Sequence, residues 1–205
     1  MKHLLFFGDS ILLGVGEPGH GGWVGRLADG LIADGRLTAA TSTIYNLGVR
    51  RASSRQILAR WQQEFAVRRG LPEVDCALLL FSFGVVDMAA PQGTPNMRID
   101  ESIQTAKEIL VTARDVAPVL LVGPSPVANR EHAQRIGEVS RGYEELCTSL
   151  NVGFVDLFTS LSQSEAFMSD LSDGVHPGCT GNALIAEQLL TSEGLRAWLK
   201  AARTE

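Results

Sequence analysis

Five short apolar runs divide the chain, and between them lie longer stretches with a helical spacing of apolar residues. The runs at residues 77–81 and 119–122 are apolar at every position. Continuous apolar runs of this length are typical of strands that are covered on both faces of a parallel sheet. The pattern therefore predicts about five mostly parallel strands, at residues 4–7, 43–47, 77–81, 119–122 and 153–155.

The stretches between these runs favour helices. In the stretch from 100 to 115, residues 103, 106, 109, 110 and 113 are apolar and form one stripe along a helix. Because strands and helices alternate, right-handed crossovers would place helices on both faces of the sheet. The sequence thus predicts an α/β fold, a three-layer α/β/α sandwich, in a single domain over residues 1–205. The predicted helices span residues 23–34, 54–69, 100–115, 129–150 and 180–202.

Composition and charge narrow the classes of partner. At 205 residues with 45% hydrophobic residues, the chain can bury a core without a metal or disulfides. Its formal net charge of -5 offers no basic surface for a polyanion, so nucleic acid is not an expected partner. The three cysteines lie far apart and have no CxxC spacing, so we expect them to be reduced thiols. With no run of membrane-spanning or signal-peptide length, we expect a cytoplasmic protein.

Candidate chemistry follows the first strand and recurs near residue 175. In open parallel sheets, ligands bind at the carboxyl ends of the strands, and Gly8-Asp9-Ser10 lies at such an end. A serine hydroxyl needs a base to take its proton, and the base needs a group that orients it. Asp173 and His176 supply both partners on one short loop. Taken singly, Asp9 or Ser10 is also an ordinary helix cap, but the combination favours a serine hydrolase.

Four ordered segments resemble the GDSL or SGNH hydrolase family of lipolytic and carbohydrate esterases. This resemblance implies a flavodoxin-like sandwich and ester hydrolysis without a cofactor or a metal. It also implies that Ser10 is the nucleophile and a backbone oxyanion donor, that Gly48 is a second backbone donor, that His176 is the base and that Asp173 orients it. The segments are Gly8-Asp9-Ser10-Ile11, Asn46-Leu47-Gly48, Phe83-Gly84-Val85-Val86-Asp87 and Asp173-Gly174-Val175-His176-Pro177.

The third segment departs from the family pattern. The family normally has Gly-x-Asn-Asp there, and the asparagine side chain donates a hydrogen bond to the oxyanion, whereas this chain has Val86. Losing one such donor typically lowers turnover about a hundred- to a thousandfold. Asp87, the next residue, is expected to hold this loop by accepting backbone N–H bonds.

Three interpretations of Val86 stay open. Two backbone donors could suffice for an activated substrate such as an aryl ester or a thioester. The protein could instead bind a small molecule or a carbohydrate without turning it over. In the third interpretation, a side chain from another carboxyl-end loop replaces the missing donor, and the candidates are Asn46, Arg50, Arg51, Ser82 and Asn129.

The sequence as a whole predicts a serine esterase that hydrolyses small carboxylic esters, with aryl, short-acyl or acetylated substrates, through an acyl-serine. The alternative is a non-catalytic or weakly active binding protein on the same fold. A nucleotide or flavin binder is disfavoured because no convincing phosphate-binding loop is present. Arg50 and Arg51 either attract an anionic substrate or are surface charges on a loop.

Overall fold

The central feature of the computed structural model is a five-stranded parallel sheet with the strand order β2-β1-β3-β4-β5. The structure describes residues 1–17, 19, 21–72 and 74–201. Every neighbouring pair of strands is parallel, and the order is that of a flavodoxin-like doubly wound fold. The predicted sheet is confirmed. The strands are β1 (Lys2–Gly8), β2 (Ser42–Gly48), β3 (Cys76–Ser82), β4 (Val119–Val122) and β5 (Gly153–Val155).

Helices fill both faces of this sheet. The first four predicted helices begin and end within one residue of α2, α3, α5 and α6. The short helices α1, α4, α7 and α8 were missed, because four or five residues are too few to show a helical period. The helices are α1 (Ser10–Leu13), α2 (Gly22–Ala33), α3 (Ser54–Arg69), α4 (Val85–Met88), α5 (Ile99–Arg114), α6 (Arg130–Leu150), α7 (Phe158–Leu161), α8 (Glu165–Ser169), α9 (Cys179–Thr191) and α10 (Glu193–Ala201).

The prediction of one helix over residues 180–202 is wrong, because the helix is interrupted at Ser192. This residue has extended backbone angles, with φ -70° and ψ 144°. Its Oγ atom accepts the backbone N–H of Leu195 at 3.2 Å. A serine that caps the first turn in this way starts a new helix, so α9 and α10 are separate. Residue 202 lies outside the described residues.

The three layers follow from the alternation of side chains along β1. Phe6 packs against Trp23 of α2 and Trp198 of α10, with ring centroids 6.2 and 6.0 Å away. Phe7 points to the other face, where the Arg60 guanidinium of α3 lies 5.7 Å from its ring centre. Successive residues of a strand face opposite sides, so α2 and α10 cover one face and α3 covers the other. The predicted three-layer sandwich is confirmed.

The end of β1 directs the chain toward the reversal point of the strand order. Gly8 pairs with Gly48 of β2 and with Ser82 of β3. A Cβ atom at Gly8 would lie 2.5 Å from the Ser82 carbonyl oxygen and 2.7 Å from the Leu12 Cβ, so a side chain does not fit here. The glycine therefore lets the chain turn directly from β1 into α1. Ligands of such sheets bind where the strand order reverses, which is beside β1. Ser10 follows this turn directly and is the first residue of α1. Within the described residues, no helix is long and apolar enough to cross a bilayer.

Candidate active site

Helix α1 presents Ser10 at the carboxyl edge of the sheet. Asp9 caps this helix, since its Oδ1 atom accepts the backbone N–H of Ile11 at 2.9 Å. The expectation that the Gly-Asp-Ser segment caps a helix is therefore confirmed for Asp9. Ser10 is the first residue of α1, so its own N–H has no acceptor within the helix. Ser10 is buried, with 6% of its surface exposed.

His176 bridges Ser10 and Asp173. Its Nε2 atom lies 2.8 Å from the Ser10 Oγ, and its Nδ1 atom lies 2.6 Å from the Asp173 Oδ2. The second carboxylate oxygen of Asp173 accepts the backbone N–H groups of Val175 and His176, at 3.0 and 2.8 Å. One carboxylate thus shapes its own loop and orients the imidazole. The three side chains form the hydrogen-bonded order that a nucleophile, a base and an orienting group require.

A buried amide holds the loop that carries Asp173 and His176. Asn182 of α9 is fully buried, and its Nδ2 atom donates to the carbonyl oxygens of Pro177 and Gly178 at 2.7 and 2.8 Å. Its Oδ1 atom accepts the backbone N–H of Trp23, at the start of α2, at 2.9 Å. The hydrogen bonds of this side chain within the described part of the chain all go to backbone groups. We did not predict Asn182 from the sequence, although an asparagine on the apolar side of a helix is a usable signal of a buried polar contact.

The pKa values of the two aspartates of the site are shifted in opposite directions. For Asp173, burial acts to raise the pKa, but hydrogen bonds from the His176 backbone, the His176 ring and the Val175 N–H outweigh it, and the pKa falls to about 2. For Asp9, burial dominates over the bonds from the Ile11 and Leu12 backbone and raises the pKa to about 6. Below about pH 6 Asp9 is therefore mainly protonated, whereas Asp173, which is bonded to the imidazole, keeps its negative charge.

The backbone N–H of Gly48 does not face the site freely. It donates to the Oδ1 atom of Asn46 at 3.0 Å, while the Asn46 Nδ2 atom donates to the Leu12 carbonyl oxygen at 3.0 Å. This corrects two expectations: the Gly48 N–H is already engaged, and the Asn46 amide is not a free replacement donor. Glycine is needed at position 48 for packing, since a Cβ atom there would lie 2.5 Å from the backbone nitrogen of Leu13.

A tight turn over residues 49–52 follows β2 beside Ser10. It is closed by a hydrogen bond from the Ala52 N–H to the Val49 carbonyl oxygen at 3.1 Å. The Val49 N–H donates to the carbonyl oxygen of Gly8 at 3.0 Å, which fixes the turn next to the start of α1. Arg51 has a φ of 65°, in the left-handed region. This region is uncommon for residues other than glycine, and such residues cluster at functional sites.

Asp87 anchors the segment that contains Val86. Its Oδ1 atom accepts the backbone N–H of Ser54 at 2.8 Å, and its Oδ2 atom accepts the Ser102 hydroxyl at 2.5 Å. The expectation that Asp87 accepts a backbone N–H is confirmed, and the donor is the first residue of α3. Val86 is half-buried in α4, and its carbonyl oxygen accepts from the Asn96 Nδ2 at 2.7 Å.

The remaining candidates for a replacement donor have different positions. Asn129 caps α6, with its Oδ1 accepting the His132 N–H at 2.9 Å. Ser82 is half-buried at the end of β3, and Arg50 and Arg51 are exposed in the turn after β2. In the part of the chain that the structure describes, no group of three His, Cys, Asp or Glu side chains is arranged to hold a metal ion.

Comparison with known families shows the family of this chain. The model of the GDSL-like lipase/acylhydrolase family matches residues 6–184, which is most of the chain and includes Ser10, Asp173 and His176. The chain belongs to this family. As a GDSL-family protein it is a carboxylic ester hydrolase, and the sequence-based recognition is confirmed. No curated protein sequence matches this GDSL hydrolase.

Solved structures show the same fold over nearly the whole length of this GDSL hydrolase. Axe2, an acetylxylan esterase from Geobacillus stearothermophilus, is 19% identical with a TM-score of 0.73, and the match covers 95% of this chain and 96% of Axe2. TesA is 22% identical with a TM-score of 0.75, over 96% and 99% of the two chains. A lipase/acylhydrolase from Enterococcus faecalis is 20% identical with a TM-score of 0.71, over 96% and 97%. At these identities the likeness concerns the fold.

Proposed function

We propose that the protein hydrolyses small carboxylic esters through an acyl intermediate on Ser10. The supporting observation is the hydrogen-bonded chain from the Ser10 Oγ through His176 to Asp173. Ser10 attacks the ester carbonyl while the His176 Nε2 takes its proton, and Asp173 stabilises the imidazolium. His176 then returns the proton to the departing alcohol. Water, activated by the same imidazole, releases the acid and regenerates Ser10.

In this proposal the oxyanion is held by backbone donors. The first is the Ser10 N–H, which has no acceptor within α1. The second is the Arg51 N–H, in place of the Gly48 N–H that is bonded to Asn46. Arg51 has its left-handed conformation in a turn that is bonded to Gly8, and its N–H has no acceptor among the described residues. Two such donors fit an activated ester whose leaving group needs little assistance.

The proposed substrates are aryl, short-acyl or acetylated esters. Leu13 and Val49 are large apolar side chains that are 39% and 46% exposed on the two segments flanking Ser10. They offer a small apolar surface for an acyl group. The structural likeness to Axe2, an acetylxylan esterase, supports acetyl esters within this class. We also propose a cytoplasmic location, since Cys147 and Cys179 are free thiols.

Labelling with a fluorophosphonate and hydrolysis of 4-nitrophenyl acetate test this proposal together. We expect one adduct, on Ser10, and loss of both labelling and hydrolysis in Ser10→Ala. The matched control is Ser125→Ala, because Ser125 is also a buried serine, following β4, and its hydroxyl has no hydrogen-bond partner among the described residues. This control should label and hydrolyse like the wild type. An adduct elsewhere, or a Ser10→Ala variant as fast as the wild type, would overturn the proposal.

Val86 motivates a second candidate function, a non-catalytic or weakly active protein that binds a small molecule or a carbohydrate. In that case the site would retain a hydrogen-bonded Ser10, His176 and Asp173 without fast turnover. The absence of a donor on the Val86 side chain favours this candidate, because one lost oxyanion donor costs about 2.7 to 4 kcal/mol of transition-state stabilisation. The Val86→Asn variant described below separates the two functions.

A further inference from the structure

Three arginines follow β2 within six residues, and we name Arg50, Arg51 and Arg55 the arginine turn. All three are exposed, and none forms an ion pair with a described residue. Several other arginines are paired with carboxylates, as Arg26 is with Glu17. The arginine turn thus places three unpaired guanidinium groups within six residues of a protein whose net charge is -5.

The arginine turn is fixed next to the nucleophile. At one end, the Val49 N–H is bonded to the carbonyl oxygen of Gly8, two residues before Ser10. At the other end, the backbone N–H of Ser54 is bonded to Asp87, in the segment that carries Val86. The backbone that presents these charges is therefore attached on both sides to segments of the candidate active site, and it does not move independently of them.

The carboxylates of the site do not neutralise this positive charge. Asp9 is buried and accepts from the backbone of Ile11. Asp87 is fully buried, with one oxygen bonded to Ser54 and the other to Ser102. Asp173 is bonded to His176. The three exposed guanidinium groups therefore keep their positive charge on a turn that is bonded to the segment preceding Ser10, and a positive potential raises the local concentration of anions.

We propose that the arginine turn binds an anionic group of the substrate, so that the preferred esters carry a carboxylate or a phosphate in the part that does not react. This inference rests on the proposed esterase function of Ser10 and specifies its substrate class. Guanidinium groups pair with both anions through two parallel hydrogen bonds, which orients the bound molecule as well as attracting it. The chemistry of the ester bond is unchanged, since the anionic group only positions the carbonyl over Ser10.

The test measures kcat/KM for matched pairs of charged and neutral esters. One pair is mono-4-nitrophenyl succinate and its methyl ester, and the other is 4-acetoxyphenyl phosphate and 4-acetoxyphenol. We expect the charged member of at least one pair to be hydrolysed about tenfold faster at low salt, with the preference shrinking at high salt. The pair that shows the larger preference tells a carboxylate substrate from a phosphate substrate.

Two double variants assign the effect to these side chains. Arg50→Gln/Arg55→Gln should lower the charged-to-neutral ratio of kcat/KM about tenfold, whereas Lys107→Gln/Arg141→Gln, which also removes two exposed cations, should keep the wild-type ratio. Arg51 is left intact because its backbone has a proposed role at the oxyanion. A wild type that labels at Ser10 and hydrolyses neutral esters, with a ratio near one, would overturn this inference alone. No hydrolysis of any ester would overturn the proposed function with it.

Discussion

Asn46 accepts the backbone N–H of Gly48 and donates to the carbonyl oxygen of Leu12, each at 3.0 Å. One side chain thereby joins the end of β2 to α1, the helix that begins with Ser10. Removing it leaves two backbone groups in a partly buried position without their partner. The contact between Gly48 and Leu13 shows how closely these two segments approach.

We therefore expect Asn46→Ala to lower the free energy of unfolding by about 1 to 3 kcal/mol, the range for backbone groups that lose a partner. Urea denaturation measures this change. Asn46→Asp keeps the acceptor for the Gly48 N–H but loses the donor to Leu12, so it should fall between alanine and the wild type. An Asn46→Ala protein as stable as the wild type would contradict the structural role assigned to this side chain.

Val86→Asn should raise turnover, because the new amide adds an oxyanion donor that the valine lacks. A well-placed oxyanion donor raises kcat about a hundred- to a thousandfold. The new amide is not optimised for this position, so we expect a smaller gain of about ten- to a hundredfold. Steady-state hydrolysis of 4-nitrophenyl acetate gives the value. Val86→Leu, which adds bulk and no donor, should show no gain. If the wild type and the Asn variant are both inactive while a small molecule binds, the protein is a binder.

Asp173→Asn should lower kcat by roughly four orders of magnitude with little effect on folding. The asparagine oxygen can still accept the N–H groups of Val175 and His176, which keeps the loop. Its amide nitrogen would then face the His176 Nδ1, which favours the tautomer with the proton on Nε2. That tautomer cannot take a proton from Ser10. Retention of more than a tenth of the activity would argue against the orienting role of Asp173.

Asp9 makes stability depend on pH in a direction opposite to that of a paired carboxylate. Its pKa is about 6 in the folded protein against 3.8 for the free side chain, mainly because of burial. The folded state therefore holds the proton more tightly. The associated stability is present below about pH 4 and is lost as the pH rises to about 6, by up to about 3 kcal/mol, since one pKa unit is about 1.4 kcal/mol.

The variant Asp9→Asn isolates this effect, because asparagine also caps helices and cannot ionise. Relative to the wild type, it should gain stability between pH 4 and pH 7. Urea denaturation at unit intervals of pH measures the difference. A stability difference between the two proteins that is constant over this range would show that Asp9 titrates normally in the folded state.

The pattern of apolar residues was enough to predict the strands and the residues that follow them directly. The carboxyl ends of parallel strands share one edge, so the strand pattern predicted that Ser10 lies at that edge. Asp173 and His176 follow α8 and not a strand, and their pairing with Ser10 was predicted from their residue types and the family resemblance. The break at Ser192 was missed for a different reason, since Ser192 interrupts an apolar pattern that continues on both sides. Its capping bond to Leu195 determines the boundary, and that bond is a matter of backbone geometry.

The direction of a single backbone N–H group could not be predicted from the sequence. Asn46-Leu47-Gly48 resembles the family segment, but whether the Gly48 N–H faces the site depends on the side-chain rotamer of Asn46. The left-handed conformation of Arg51 was equally hidden, because arginine gives no hint of a positive φ. The contact of Asn182 with Trp23 joins residues 159 positions apart, which no local pattern reports.

Asn182 also bears on how this enzyme can be redesigned. Its hydrogen bonds go to Trp23, Pro177 and Gly178, so the loop with the proposed base is attached to α2 and α9. The surfaces that we assign to the substrate belong to α1 and to the turn after β2. Libraries that vary Leu13, Val49 and Arg50 can therefore explore new acyl and alcohol groups while the anchoring of His176 stays intact, which makes the two halves of the site separately adjustable.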